Sequence, residues 1–394
     1  MQVTLNLRQK VQVLDVDMLW AWLERPAQAE PILLVDVRDE HELAEGQIPG
    51  AIHIPLNILR HEAPERIPNR EALIVVYCAR GNRSIRAAAD LVELGYPHVA
   101  HVKGGFSSWK ARSYPVRPTA QGDPSTQLTS EQRERYSRHL RLPDFGEGLQ
   151  RKLLDSRVLL VGIGGLGTPA ALYLAAAGVG TLGLVDADVV ELSNLQRQIL
   201  HASSRVGLPK VDSAMQVLKD LNRDVTTIPF RTRLDRATVD GIFSRGWDVV
   251  IDGSDNYPTR YLVNDASYFH EIPVVFGSVF RFEGRIMSML PKCGPCYRCL
   301  HSEPPPVHLS QSCEAGGILG VLPGVIGVLQ ATEAIKIILG LGEPLAGRHL
   351  TYDALAMQFR THNVPRDPRC RLCGDHPSLV TYADYEGLCA PLDP

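Results

Sequence analysis

The sequence has almost no net charge, no internal repeat and no low-complexity tract, and each absence removes a class of function. Among 394 residues, 41 Lys and Arg stand against 44 Asp and Glu, leaving −3. Nothing in that balance points to nucleic acid or to an anionic membrane. The N-terminus has no basic region followed by an apolar run, so no signal peptide is expected and the cytoplasm is the expected location. The most apolar segment, 316–342, is interrupted by Gln330, Glu333 and Lys336 and punctuated by Pro323 and glycines. A buried helix is expected there rather than a membrane span. In a reducing compartment the eight cysteines read as ligands, nucleophiles or core residues rather than disulfides. The length allows two or three domains, each with its own core.

What the chain does have is concentrated in residues 157–197. The apolar run 158–161 reads as a buried strand and leads into Gly162-Ile-Gly164-Gly165-Leu-Gly167. A small-residue helix over 168–178 follows, then a strand over 181–185 that ends on Asp186. This is the spacing of a nucleotide-binding βαβ unit. Glycines let the backbone approach a phosphate, the helix N-terminus offers it free N–H groups, and the acid suits a ribose hydroxyl. Alone, the unit fits a dinucleotide oxidoreductase equally well. Beyond it come Ser193-Asn194-Leu195-Gln196-Arg197, then Lys210, then Asp252-Gly-Ser-Asp255-Asn256 after a third strand over 247–251. Two added cations and a carboxylate pair suit a triphosphate with Mg²⁺, and a nicotinamide needs neither. The reading is an ATP site on a Rossmann-like sheet. Asp252 can equally be a strand-end cap.

Ahead of this unit, strand and helix signals alternate. Helical periodicity covers 14–25, strands are expected at 32–35, 73–77 and 99–102, and a helix at 82–94 closes on Gly95. That pattern implies a small parallel α/β domain. A stretch rich in Pro, Ser, Thr and Gln then reads as a linker. The expected organisation is a first domain over 1–115, a linker over 116–130 and a second domain over 131–394. Residues 128–156 read as helical, and the tail beyond Pro377 shows few packing signals.

Three groups of cysteines carry chemistry. Cys78-Ala-Arg80-Gly81-Asn82-Arg83 follows a buried strand and opens a helix. Successive amides and two arginines there favour an anion at the sulfur. Cys296-x2-Cys299 and Cys370-x2-Cys373 form paired knuckles that suit a structural tetrahedral Zn²⁺, with Cys293 an alternative to one of them. Cys313 stands alone before the apolar helix, either a second thiol or a small packing residue, and Cys389 has no pattern around it.

The first domain resembles the rhodanese family, through Asp36-Val-Arg38-Asp-Glu40-His-Glu42, Gly46-Gln-Ile48-Pro-Gly50-Ala51-Ile-His53 and Gly104-Gly105-Phe106-Ser-Ser-Trp109. The resemblance implies that Cys78 carries a persulfide held by the loop of Arg80, Gly81 and Arg83. The Cys-x4-Arg loop is the sulfur-sized one, a residue shorter than in related phosphatases. The second domain resembles the MoeB/ThiF family, bacterial relatives of ubiquitin-activating enzymes, through Arg135-Tyr-Ser-Arg138, the glycine turn, Asp186-Ala-Asp188, 193–197, Lys210, 252–256 and Pro295-Cys296-Tyr-Arg-Cys299-Leu. That implies adenylation, by ATP, of the C-terminal Gly-Gly carboxylate of a ubiquitin-like sulfur-carrier protein. Gly164 and Gly165 would face the phosphates, Asp186 the ribose, and Arg197 and Lys210 the triphosphate. Asp255 would hold Mg²⁺, and Asn194 and Gln196 would support the pocket. Arg138 would reach in from the other subunit of a homodimer. Cys313 would be a second thiol, and Cys78, charged by a cysteine desulfurase or thiosulfate, would supply sulfur for a protein thiocarboxylate. Fused relatives place the sulfurtransferase at the C-terminal end, whereas here it leads. The alternatives are an NAD-dependent oxidoreductase and a zinc-stabilised module that binds a carrier without catalysis. The expected fold is α/β, a rhodanese-like parallel-sheet domain followed by a Rossmann-like ATP-binding domain with a zinc knuckle.

Overall fold

The computed structural model describes residues 11–24, 32–117, 128–142, 145–304 and 317–383. Cys313 and Cys389 fall outside the described residues. The chain divides into two compact units, Met1–Thr129 and Ser130–Pro394.

The first unit runs β1 (Gln12–Leu14), α1 (Val16–Leu23), β2 (Ile32–Asp36), β3 (Ile52–His53), α2 (Leu56–Arg66), β4 (Leu73–Tyr77), α3 (Asn82–Glu93), β5 (Val99–Val102) and α4 (Gly105–Ala111). Its sheet has the order β1-β5-β4-β2-β3, and every pairing is parallel. Side chains on a strand alternate between faces. Ile74 and Val76 therefore join the core under α2 and α3, while Val75 and Tyr77 join Phe106 and Trp109 on the other side. The helix expected from residue 14 begins later. Leu14 ends a strand, and Asp15 caps α1 by accepting from the Met18 N–H at 2.7 Å.

The second unit runs α5 (Ser130–Arg135), α6 (Ser137–Leu140), α7 (Gly146–Asp155), β6 (Arg157–Val161), α8 (Gly167–Ala177), β7 (Thr181–Val185), α9 (Lys210–Leu221), β8 (Thr226–Phe230), α10 (Val239–Phe243), β9 (Val249–Asp252), α11 (Tyr257–Phe269), β10 (Val274–Phe280), β11 (Glu283–Met289), α12 (Tyr297–Leu300), α13 (Leu322–Leu339), β12 (Arg348–Asp353) and β13 (Gln358–Asn363). The single helix expected over 128–156 is three short ones. Gly146 sits at φ 60°, a left-handed backbone that breaks the helical run where α7 begins.

The second sheet has the order β13-β12-β11-β10-β9-β6-β7-β8. β10, β9, β6, β7 and β8 are parallel, and β11 to β13 continue antiparallel. The chain leaves β6 toward β7 and β8, then returns to lay β9 on β6's other side. Strand order reverses between β6 and β9, and a crevice opens beyond their C-terminal ends. Val158 and Leu160 pack with α8, α9 and α13 on one face. Leu159 and Val161 pack with α10, α11 and the knuckle cysteines on the other.

α13 is long and apolar enough to cross a membrane by composition, yet over half of it is buried within the fold. The polar residues that break its apolar run are bonded inside. Gln330 Nε2 donates to the carbonyls of Asp252 at 2.8 Å and Val275 at 3.0 Å. Glu333 accepts from Ser288 Oγ at 3.0 Å and the Leu345 N–H at 2.6 Å. Part of the tail is anchored too, since Tyr382 bonds Asp240 and Leu379 packs on the α11 side.

Candidate functional site

In the first unit, Cys78 lies buried just past β4. Gly81, at φ 101°, turns the chain so that its N–H donates to Cys78 Sγ at 3.1 Å, and Ser84 Oγ lies 3.8 Å from the sulfur. α3 starts at the next residue, so its free N–H groups open toward the thiol. Arg80 is exposed. Arg83 is held from outside the loop: Nη1 and Nη2 each donate to Glu42 at 2.7 Å, and Nη1 also reaches Asp39 at 3.1 Å. Its buried Nε has no partner. Burial works against the Arg83 charge, but Glu42 and Asp39 outweigh it and hold its pKa above the ordinary value.

The segment carrying Glu42 is fixed by a buried polar network. Asp36 pairs with Arg38 at 2.7 Å and accepts the Tyr77 hydroxyl at 2.8 Å. Arg38 donates onward to the carbonyls of Glu42 at 3.1 Å and Gly46 at 2.7 Å. On the other side, Phe106 N–H donates to the Cys78 carbonyl at 2.8 Å and Ser107 N–H to that of Ala79 at 2.9 Å. Gly105 makes this approach possible, being at φ 56° where any Cβ would strike the Cys78 carbonyl oxygen. Gly105→Ala is expected to destabilise this domain by about 2 kcal/mol or more, since a left-handed backbone alone costs an L-residue about 1–2 kcal/mol. A lower midpoint of thermal unfolding for the first domain is the measurement that checks it.

In the second unit one cleft of about 1380 Å³ opens at the β6/β9 reversal. Gly164, Gly165, Asp186, Asn194, Gln196, Arg197, Lys210 and Asp255 all line it. Gly162, at φ 90°, approaches the Gly253 carbonyl so closely that a Cβ would lie 2.8 Å from that oxygen. Asp186 ties the glycine turn to β7, accepting from the N–H groups of Ile163 and Asp188 at 2.8 Å each. Burial pushes its carboxyl up, against Lys210 and those two N–H groups. Lys210, nearly buried, opens α9 and donates from Nζ to Asp188 at 2.7 Å. Arg197 Nη1 donates to the Ser193 carbonyl at 3.2 Å. Asn194 is a turn cap, its Oδ1 accepting from the Glu191 N–H at 3.1 Å. Asp255 is exposed at the rim.

Asp252 does not join Asp255 as a free carboxylate. It is fully buried, 3.0 Å from Arg260 Nε, and accepts the Ser254 N–H at 3.0 Å. Arg138 is exposed and is not among the residues lining the cleft. Two residues escaped the sequence reading. His201 is buried under the glycine turn, with Nε2 3.1 Å from the Ile163 carbonyl and Nδ1 2.9 Å from Ser213 Oγ. Gln198 is a buried amide on the cleft wall.

The knuckles come together. The sulfurs of Cys296, Cys299, Cys370 and Cys373 all lie within 4.8 Å of one another, with separations of 3.6 Å (Cys296–Cys370), 3.3 Å (Cys299–Cys373) and 3.4 Å (Cys296–Cys373). Zn–S bonds of about 2.3 Å in a tetrahedron put sulfurs about 3.8 Å apart, so the four thiols fit Zn²⁺ with a small expansion. Cys293 is exposed and outside the group, which removes it as a ligand. The first knuckle is fastened to α11: Arg298 pairs with Asp265 at 2.7 Å with both side chains buried, and Asn264 Oδ1 accepts the Tyr297 N–H at 2.8 Å. Cys370→Ser, or exhaustive chelation, is expected to lower the melting temperature of the second domain by several degrees, because a closed four-cysteine site contributes folding energy directly.

Two family models match the chain: the ThiF family over residues 136–372 and the rhodanese-like domain over residues 19–112. The chain is 49% identical over 264 residues to the SAMP-activating enzyme E1 of Haloferax volcanii, a match spanning 67% of this chain and 97% of that protein. It is 46% identical over 266 residues to the sulfur carrier protein adenylyltransferase of Thermus thermophilus, spanning 66% and 98%. It is 48% identical over 279 residues to the adenylyltransferase and sulfurtransferase MOCS3 of Sus scrofa, spanning 71% of this chain and 60% of that protein. Among solved structures, E. coli MccB with ATP matches with a TM-score of 0.55 at 21% identity, over 62% of this chain and 76% of that one. That likeness speaks to the fold.

Proposed function

Since the chain belongs to the ThiF family and carries a rhodanese-like domain ahead of that region, we propose that it activates a ubiquitin-like sulfur-carrier protein and then sulfurates it. The carrier's C-terminal glycine carboxylate attacks the α-phosphorus of ATP, the bond to the β-phosphate oxygen breaks, and pyrophosphate leaves an acyl-adenylate. Sulfur follows from the Cys78 persulfide. Its terminal sulfur attacks the acyl carbon, AMP departs, and an acyl disulfide remains on Cys78. An external thiol, or Cys313, then attacks the Cys78 sulfur. The S–S bond breaks, the carrier leaves as a thiocarboxylate, and the resulting disulfide is reduced by further thiol.

The observation that carries this reading is the gathering of Asp186, Arg197, Lys210 and Asp255 around one cleft. Asp186 keeps lone pairs for a ribose diol while its N–H contacts hold it in place. Arg197 and Lys210 supply fixed positive charge where pyrophosphate develops. Asp255 at the rim would hold Mg²⁺, which would neutralise phosphate charge. The cysteine cluster would hold Zn²⁺ as a structural tie. Arg138 is exposed and does not line its own cleft, so a part in catalysis would call for a homodimer in which each copy completes the other's site. In the first unit, the Gly81 N–H donates to the Cys78 sulfur where α3 begins, a place that would hold a persulfide. A cysteine desulfurase persulfide or thiosulfate would load it.

The oxidoreductase alternative leaves Arg197 and Lys210 without a task, and a non-catalytic module leaves the whole cleft without one. Carrier-dependent ATP–pyrophosphate exchange, followed by intact mass of the carrier, tests the proposal. Exchange together with replacement of one carrier oxygen by sulfur is the expected result. Reduction of a nicotinamide without exchange would overturn it.

A further inference from the structure

Gln198 is 96% buried, its relative exposure being 4%, yet it lines the cleft. Its Oε1 is enclosed and has no partner. Its Nε2 points at the open space beside Gly164, 3.6 Å from where a Cβ on that residue would sit. No hydrogen bond to that nitrogen exists among the described residues. A buried amide with neither end engaged is uncommon unless a ligand completes it.

Gly164 supplies a second, independent observation. Gly162 and Gly167 are required by the protein's own packing, since a Cβ at either would collide with the backbone of Gly253 or Gly162. Gly164 is not. Its φ is ordinary, and a Cβ there would meet only Gln198, at van der Waals distance. The space a side chain would occupy is left open in front of an unused N–H donor. It lies along the glycine turn, next to the acid that faces the ribose, where the first phosphate after a ribose belongs.

Resting on the adenylation reading above, we infer that Gln198 is a catalytic residue of that reaction: its Nε2 donates to a non-bridging oxygen of the α-phosphoryl group as the carrier carboxylate attacks. A neutral donor suits this position. Arg197 and Lys210 serve the leaving pyrophosphate, while the α-phosphoryl oxygens carry charge through the transition state and stay with AMP. One fixed donor at a reacting oxygen is worth about 10²–10³-fold in rate.

The test uses the full-length protein with its carrier, comparing the parent with Gln198→Met, which keeps length and burial but lacks the N–H, and with Gln198→Asn as a second variant. In carrier-dependent exchange, kcat for the Met variant is expected to fall about 10²-fold, with KM for ATP changed less than about threefold. A structural role would not move the second readout, exchange with the Rp and Sp diastereomers of ATPαS. The parent should discriminate between them, because sulfur at the contacted oxygen weakens the bond, and both variants should discriminate less. A Met variant with parental kcat and parental discrimination overturns the role of Gln198 and leaves the adenylation reading standing. A parent that shows no exchange with any carrier overturns both.

Discussion

Cys78→Ala is expected to leave carrier-dependent ATP–pyrophosphate exchange at the parental rate and to abolish thiocarboxylate formation. The split follows from where each bond is made. Exchange needs only the second unit, whose cleft-lining residues all lie beyond residue 160. Sulfur delivery, as proposed, needs a sulfane sulfur on Cys78, the thiol that accepts the Gly81 N–H just before α3. Alanine removes one buried atom from a loop held independently by the Arg83–Glu42 pair and by the Phe106 and Ser107 N–H bonds, so the domain should remain folded. Intact mass of the carrier reads the outcome. Parent product shows sulfur in place of oxygen, and variant product stops at adenylate or its hydrolysis. Thiocarboxylate made at the parental rate by the variant, with sulfur supplied only as protein persulfide or thiosulfate, would remove Cys78 from the mechanism.

Lys210→Met is expected to lower exchange by about 10³-fold while shifting stability by no more than about 1 kcal/mol. The two magnitudes separate function from structure. The partner of Lys210 is Asp188, whose side chain is 70% exposed, so water takes over its solvation when the lysine is lost. Pairs with an exposed partner are worth about 0–1 kcal/mol. A cation aimed at the charge of a departing pyrophosphate is worth far more, about 4 kcal/mol for three decades of rate. Methionine keeps the apolar stem packed in α9. Denaturant unfolding and exchange kinetics on one preparation separate the two effects. A variant that loses stability and rate in proportion would make Lys210 a structural residue.

The parts legible in the sequence were those written in local spacing. The βαβ unit over 157–186, Cys78 between strand and helix, and the two cysteine knuckles each declare themselves within a few residues, because periodicity, glycine placement and ligand spacing are short-range signals. What escaped depends on partners distant in the chain or on space. Asp252 reads as half of a carboxylate pair, but Arg260, eight residues on in the first turn of α11, holds it inside the fold. Arg83 sits in the Cys78 loop by sequence, but its guanidinium is committed to Glu42, 41 residues earlier. Cys293 had the same spacing to Cys296 that Cys296 has to Cys299, and only the fold turns it outward. Gln198 gave no sequence signal beyond following Arg197. Its meaning comes from an empty volume, which no pattern of residues records.

α11 joins two stations. Asn256 caps it beside Asp255, accepting the Thr259 N–H at 3.0 Å, and midway along it Asn264 and Asp265 grip the first cysteine knuckle. The helix thus runs from the rim of the cleft at its tip to the four-thiol cluster gripped near its middle. With Zn²⁺ held there as proposed, stripping the ion is expected to loosen α11, and the loss would surface as weaker ATP binding while the first unit kept its sulfurtransferase function. On that proposal, zinc scarcity would register first as stalled carrier adenylation.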